Sequence, residues 1–102
     1  MELDRYLNKI KELESETEDE HVKYVLGKLR GDAVWLESEA KARNYLEVLN
    51  IAAHAGGDCM EIYHGFPRAD WNSICDDGLI DLFRGIDSKL KEEEREKGFR
   101  TY

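Results

Sequence analysis

Leu3, Tyr6, Leu7, Ile10 and Leu13 recur at steps of three and four, the apolar stripe of an amphipathic helix. The pattern lapses over residues 15–19, where Thr17 followed by Glu20 has the form of a capping box and predicts the start of a second helix. Val22, Val25, Leu26 and Leu29 form that helix's apolar face. Gly31 and Asp32 predict a break, with Asp32 as the N-cap of a third helix beginning at Ala33; the alternative is one continuous helix with a weak point at Gly31.

The third helix is expected to run toward Tyr63, with Gly56 and Gly57 inside it. Each glycine costs about 1 kcal/mol against Ala in a helix interior. The helix therefore either continues or stops at Ala55, with Asp58 capping a short continuation. His64-Gly65-Phe66-Pro67 reads as a loop, because the residue before a proline is pushed out of helical geometry. Asp70 is expected to cap the last region, where Trp71, Ile74, Cys75, Leu79, Leu82, Phe83, Ile86 and Leu90 give a long stripe weakened at Gly78. A charged helical tail follows from about residue 91. No strand-like alternation, repeat or linker interrupts these segments. The pattern predicts a single all-α domain over residues 1–102, a bundle of about four helices.

The segment from Tyr45 to Tyr63 is the most apolar of the chain, yet Glu47, Asn50, His54, Asp58 and Glu61 follow one another through it at intervals of 3, 4, 4 and 3. At 100° per residue all five fall within about 80° of one another. An otherwise apolar helix is normally buried, and a buried carboxylate needs a partner, a proton or a metal. Glu47, Asn50 and His54 are therefore expected to face a shared polar cavity rather than bulk solvent, joined by Asp58 if the helix continues. The competing reading is a narrow solvent-facing edge. Since a helix apolar on so many sides exceeds what a small monomer covers, the chain is also expected to associate with itself.

Composition narrows the partners. A net charge of −8 argues against nucleic acid as a direct ligand, because phosphate binding needs clustered Lys and Arg. A cation held between carboxylates reverses the local sign, which keeps a metal–phosphate ligand open. The charged N-terminus MELDRYLNKI is unlike a signal peptide, and the run from Val48 to Gly57 is too short to span a bilayer. Cys59 and Cys75 lack the close spacing of a zinc or redox pair. Free thiols and a cytoplasmic location are the expectation, without membrane contact.

Other clusters have plainer readings. Glu37 and Glu39, with Glu16, Glu18, Asp19 and Glu20 upstream, read as surface charge unless their helix folds against the stripe; Glu39 lies within about 80° of Glu47 on the wheel. Glu-x-x-His occurs at Glu18/His21 and Glu61/His64, but one pair sits at a helix start and the other runs into a loop, neither suited to a buried di-iron centre. Asp76, Asp77 and Asp81 read as helix-start charge. Trp35, Trp71, Tyr45, Tyr63 and Phe83 read as packing before base stacking.

Leu36-Glu37-Ser38-Glu39, followed by Glu47-Val48-Leu49-Asn50-Ile51-Ala52, resembles the motifs of the MazG-like all-α nucleoside-triphosphate pyrophosphohydrolases over roughly residues 20–64. That family carries EExxE on one helix and ExxD on the next, which together bind Mg²⁺ for the triphosphate. Glu39 matches one acid of the first motif, with Ala42 where its later Glu would stand. Glu47 matches the first residue of ExxD, with Asn50 in place of its Asp. The resemblance implies Mg²⁺-dependent hydrolysis of a nucleoside triphosphate to monophosphate and pyrophosphate, the metal neutralising phosphate charge and orienting water. Glu39, Glu47, Asn50, His54 and Asp58 are the expected metal ligands. The alternative is a non-catalytic helical interaction or oligomerisation protein with an acidic surface; a nucleic-acid mimic would need its charge spread over the surface rather than held in a stripe.

Overall fold

In the computed structural model, which describes residues 3–96, five helices follow one another: α1 (Leu3–Glu16), α2 (Glu20–Lys41), α3 (Tyr45–Glu61), the short α4 (Arg68–Ile74) and α5 (Asp77–Glu96). Among the described residues there is no strand, and no helix is long and apolar enough to cross a membrane. The all-α architecture expected from the apolar periodicity is what forms.

α1 buries Tyr6, Ile10 and Leu13, and the Tyr6 hydroxyl donates across the core to the Ile74 carbonyl at the end of α4. The cap of α2 falls two residues later than the sequence suggests. Asp19, not Thr17, accepts from the His21 and Val22 amides at 2.9 and 3.3 Å, while Thr17 Oγ1 accepts from the Asp19 amide.

The expected break at Gly31–Asp32 does not occur. α2 passes straight through, because Val22, Val25, Leu29, Ala33, Leu36 and Ala40 keep one buried face in register on both sides. The glycine costs about 1 kcal/mol; burying Leu36 alone contributes about 1.5–3 kcal/mol. The chain turns instead at residues 42–44. Asn44 N–H bonds to Glu39 O and Arg43 N–H to Ala40 O, both at 3.0 Å, with Arg43 at φ 62°. These are the two bonds of a Schellman motif, with arginine where glycine usually stands. Residues read as one helix from Ala33 to Tyr63 are thus split, so that Glu39 ends α2 and Glu47 opens α3.

α3 runs through Gly56 and Gly57 to Glu61, so Asp58 is an interior helical residue rather than a cap. Beyond the glycines it buries Cys59, and Ile62 follows in the core, which offsets their cost. α4 starts after Pro67, so Asp70 sits in its first turn instead of capping the last region. The long stripe from Trp71 to Leu90 is divided between α4 and α5. Gly78 fits this corner because a Cβ there would stand 2.0 Å from the Ser73 carbonyl oxygen.

The cysteines correct the sequence reading. Cys59 on α3 and Cys75 after α4 form a disulfide, their Cα atoms 5.7 Å apart. Spacing along the chain carries no sign of it, since the approach is made by the fold. Trp71 Nε1 donates to the Cys59 carbonyl at 2.8 Å and draws α4 against α3.

Candidate metal centre

α2 and α3 pair antiparallel and make the most extensive contact in the molecule. Where they meet, Asp32 from α2 and His54 and Asp58 from α3 each bring a ligand atom within 4.8 Å of the others. His54 and Asp58 are one turn apart, so both side chains lean over the same stretch of α2. Asp32 is only 8% exposed and Asp58 only 4%, and they are the two buried charged residues among those described. His54 is exposed and closes the group on its solvent side.

The carboxylates are incompletely satisfied. Lys28, one turn before Asp32 on α2, places Nζ 3.2 Å from Asp58 Oδ1. Asp32 Oδ2 and Asp58 Oδ2 have no hydrogen-bond partner. Burial first, and then the adjacent Asp58 carboxyl, hold Asp32's carboxyl up at about 6, against lowering by His54 and Lys28. The Lys28 ammonium is in turn held above its ordinary range by its hydrogen bond and charge contact with Asp58, with Glu61 and the Tyr24 phenol adding smaller effects. Behind the pair, burial pushes the Tyr6 phenol well above its usual range, and the Asp32 charge adds to this. Two buried carboxylates against one ammonium leave negative charge in a poorly hydrated place, which a proton or a dication relieves.

A dication fits this donor set. With bonds of roughly 2.0–2.2 Å, opposite ligands on one ion stand up to roughly 4.4 Å apart, so small side-chain rotations would bring these atoms into range. Two carboxylates and an imidazole would supply three positions and leave the rest for water or a phosphate oxygen.

Of the residues expected as ligands, the structure brings His54 and Asp58 together and leaves Glu39, Glu47 and Asn50 outside this group. Glu39 is half-buried and accepts from Trp35 Nε1 at 3.3 Å and Asn44 Nδ2 at 3.0 Å. Glu47 lies half-buried in the first turn of α3, and Asn50 is exposed. The shared polar cavity expected for Glu47, Asn50 and His54 is therefore not found: Asn50 and His54 face solvent. Residues on one helical stripe share a direction but not a height, and Glu47 and Asp58 are about 16 Å apart along α3.

Reading Gly31 as a break makes Asp32 a cap and hides it from the sequence. Its signal was its place on the apolar face, three residues after Leu29 and four before Leu36, with Lys28 one turn away. A separate apolar cavity of about 330 Å³ opens between α2, α3 and α5, lined by Leu36, Tyr45, Val48, Phe83 and Leu90 among others; none of the cluster residues borders it. Comparison with family models, with curated proteins and with solved structures finds no match.

Proposed function

We propose that the chain binds a divalent cation at Asp32, His54 and Asp58 and uses it to engage a nucleoside triphosphate, as a divergent MazG-like pyrophosphohydrolase whose metal site has moved along the α2–α3 seam. The observation that carries this reading is the pair of buried carboxylates, each with an oxygen lacking a partner, turned toward an imidazole. The family resemblance supports the substrate class and names Mg²⁺ as the cofactor. Glu39 and Glu47 now stand on successive helices, as the family's two motifs do. The cation would neutralise phosphate charge. Lys28 lies at the rim, where an ammonium can contact a phosphate oxygen.

The test is hydrolysis of the common nucleoside triphosphates with and without MgCl₂ or MnCl₂, following pyrophosphate release. Cation-dependent release that Asp58→Asn abolishes supports the reading. Release that survives Asp58→Asn but not Glu47→Gln would return the chemistry to the original motif acids.

A second reading, a helical interaction protein, has its own observation. Leu46, Leu49 and Met60 on α3 are 72%, 67% and 67% exposed. Self-association through this face is compatible with either reading. The cytoplasmic placement loses the support of free thiols, since persistent disulfides belong mainly to oxidising compartments.

A further inference from the structure

Mg²⁺ is the cofactor the family resemblance brings, but the donor set on the α2–α3 seam has a different preference. Mg²⁺ favours oxygen ligands and retained waters, whereas an imidazole suits the softer first-row transition ions. A site built from two aspartates and one histidine thus gains most when the ion accepts nitrogen. The seam also holds a cation of its own. Lys28 Nζ stands against Asp58 Oδ1, and as the residue one turn before Asp32 it reaches over the same cluster.

That ammonium is not locked in. The Lys28 side chain is 34% exposed, and its Nζ lies 5.5 Å from the centre of the ring of Tyr24, one turn toward the N-terminus of α2. Glu61, one turn beyond Asp58 on α3, is exposed and near enough for its charge to act on Lys28. Released from Asp58, the ammonium would still have the Tyr24 ring and the Glu61 carboxylate beside it to compensate its charge. A single ammonium satisfies one oxygen of Asp58 and leaves Oδ2 of both aspartates without a partner. A dication would satisfy both carboxylates and the imidazole together.

We propose that the seam is a site for a first-row transition dication, of the Co²⁺ or Zn²⁺ kind rather than Mg²⁺, held by Asp32, His54 and Asp58, and that Lys28 is an internal counter-ion which the metal displaces. The proposal rests on the reading of this cluster as a cation site and goes beyond it in the identity of the ion and the role of Lys28. Displacement makes occupancy a competition between a tethered ammonium and a free metal ion. Removing the ammonium should tighten binding, and metal should free the Lys28 amine.

Two titrations of the full chain test this. Co²⁺ binding is followed through its visible absorption, with Zn²⁺ as competitor and Mg²⁺ in parallel. The expected result is that Co²⁺ and Zn²⁺ bind at least roughly tenfold more tightly than Mg²⁺, and that His54→Gln weakens Co²⁺ by roughly tenfold or more while leaving Mg²⁺ nearly unchanged. Lys28→Gln is expected to tighten Co²⁺ binding roughly tenfold. Because that variant leaves Asp58 unpaired and can fail to fold, the wild-type chain supplies a second readout. Acetylation of Lys28 by acetic anhydride, located by peptide mass spectrometry, should accelerate several-fold when Zn²⁺ is present.

Equal affinity for Mg²⁺ and Co²⁺, or no effect of His54→Gln, overturns the identity of the ion while the cation site itself stands. Acetylation of Lys28 that is unchanged or slowed by Zn²⁺ overturns displacement. If none of the three ions binds, this proposal and the functional reading beneath it fall together.

Discussion

Asp32→Asn separates the two consequences of burying a second carboxyl beside Asp58. Without metal, the substitution removes like-charge repulsion in a poorly hydrated place and should stabilise the chain by about 1 kcal/mol at neutral pH. The same change should abolish cation binding. Its pH dependence has a definite sign. The folded chain holds the Asp32 proton up to about 6, and the unfolded chain releases it near the ordinary 3.8. Between those values the folded state binds more protons, so this group's contribution is fully present below about pH 4 and is lost as pH rises through about 6. Denaturant midpoints of the metal-free protein should therefore converge with those of Asp32→Asn at low pH and fall below them above about 6. Parallel curves would mean that Asp32 titrates normally. Two of this site's three residues were legible in the sequence: His54 and Asp58 stood out as polar residues in an apolar segment. Asp32 did not, because a carboxylate after a glycine looks like a cap until the buried register beyond it is weighed against the glycine's cost.

At the scale of the elements, the helices and the junctions at residues 17–19 and 62–67 were readable from the sequence, whereas those at 42–44 and 75–76 were not. The junction of α2 and α3 is made by Arg43 in the left-handed region, a conformation that costs a non-glycine residue about 1–2 kcal/mol. No glycine or proline marks it. Arg43→Gly keeps the turn's two backbone bonds and loses the side-chain bond from Arg43 Nη1 to the Ala40 carbonyl at 3.4 Å, so it should raise stability, measured by chemical denaturation, by no more than about 0.5 kcal/mol. A loss would show that the arginine side chain contributes more than its backbone strain costs. The corner from α4 into α5 was hidden in the opposite way, by an apolar stripe that continues across it. There the Cys59–Cys75 disulfide closes a loop with a sequence separation of 16. Reduction should lower stability by about 3 kcal/mol on chain-entropy grounds. An unchanged denaturation midpoint with and without reductant would contradict a bonded pair in solution.

The whole molecule is elongated, 50 × 22 × 17 Å, and α3 packs extensively only on α2. That arrangement explains why Leu46, Leu49 and Met60 remain open to solvent on a strongly apolar helix. Tyr24, Trp35 and Tyr45 are exposed as well. Sedimentation velocity at micromolar concentration should give a dimer that Leu49→Glu converts to monomer; a monomer in the wild type would leave this face without a second copy. The same pairing of α2 with α3 sets the height at which Asp32 meets Asp58 and His54, and so places the candidate centre about three turns of α3 away from Glu47. A crystal grown with ZnCl₂ and measured for anomalous scattering tests that placement most directly. An anomalous peak is expected among Asp32, His54 and Asp58, at about 2.0–2.2 Å from their ligand atoms, with Lys28 moved away from Asp58. A peak between Glu39 and Glu47, or no peak on the α2–α3 seam, would contradict it.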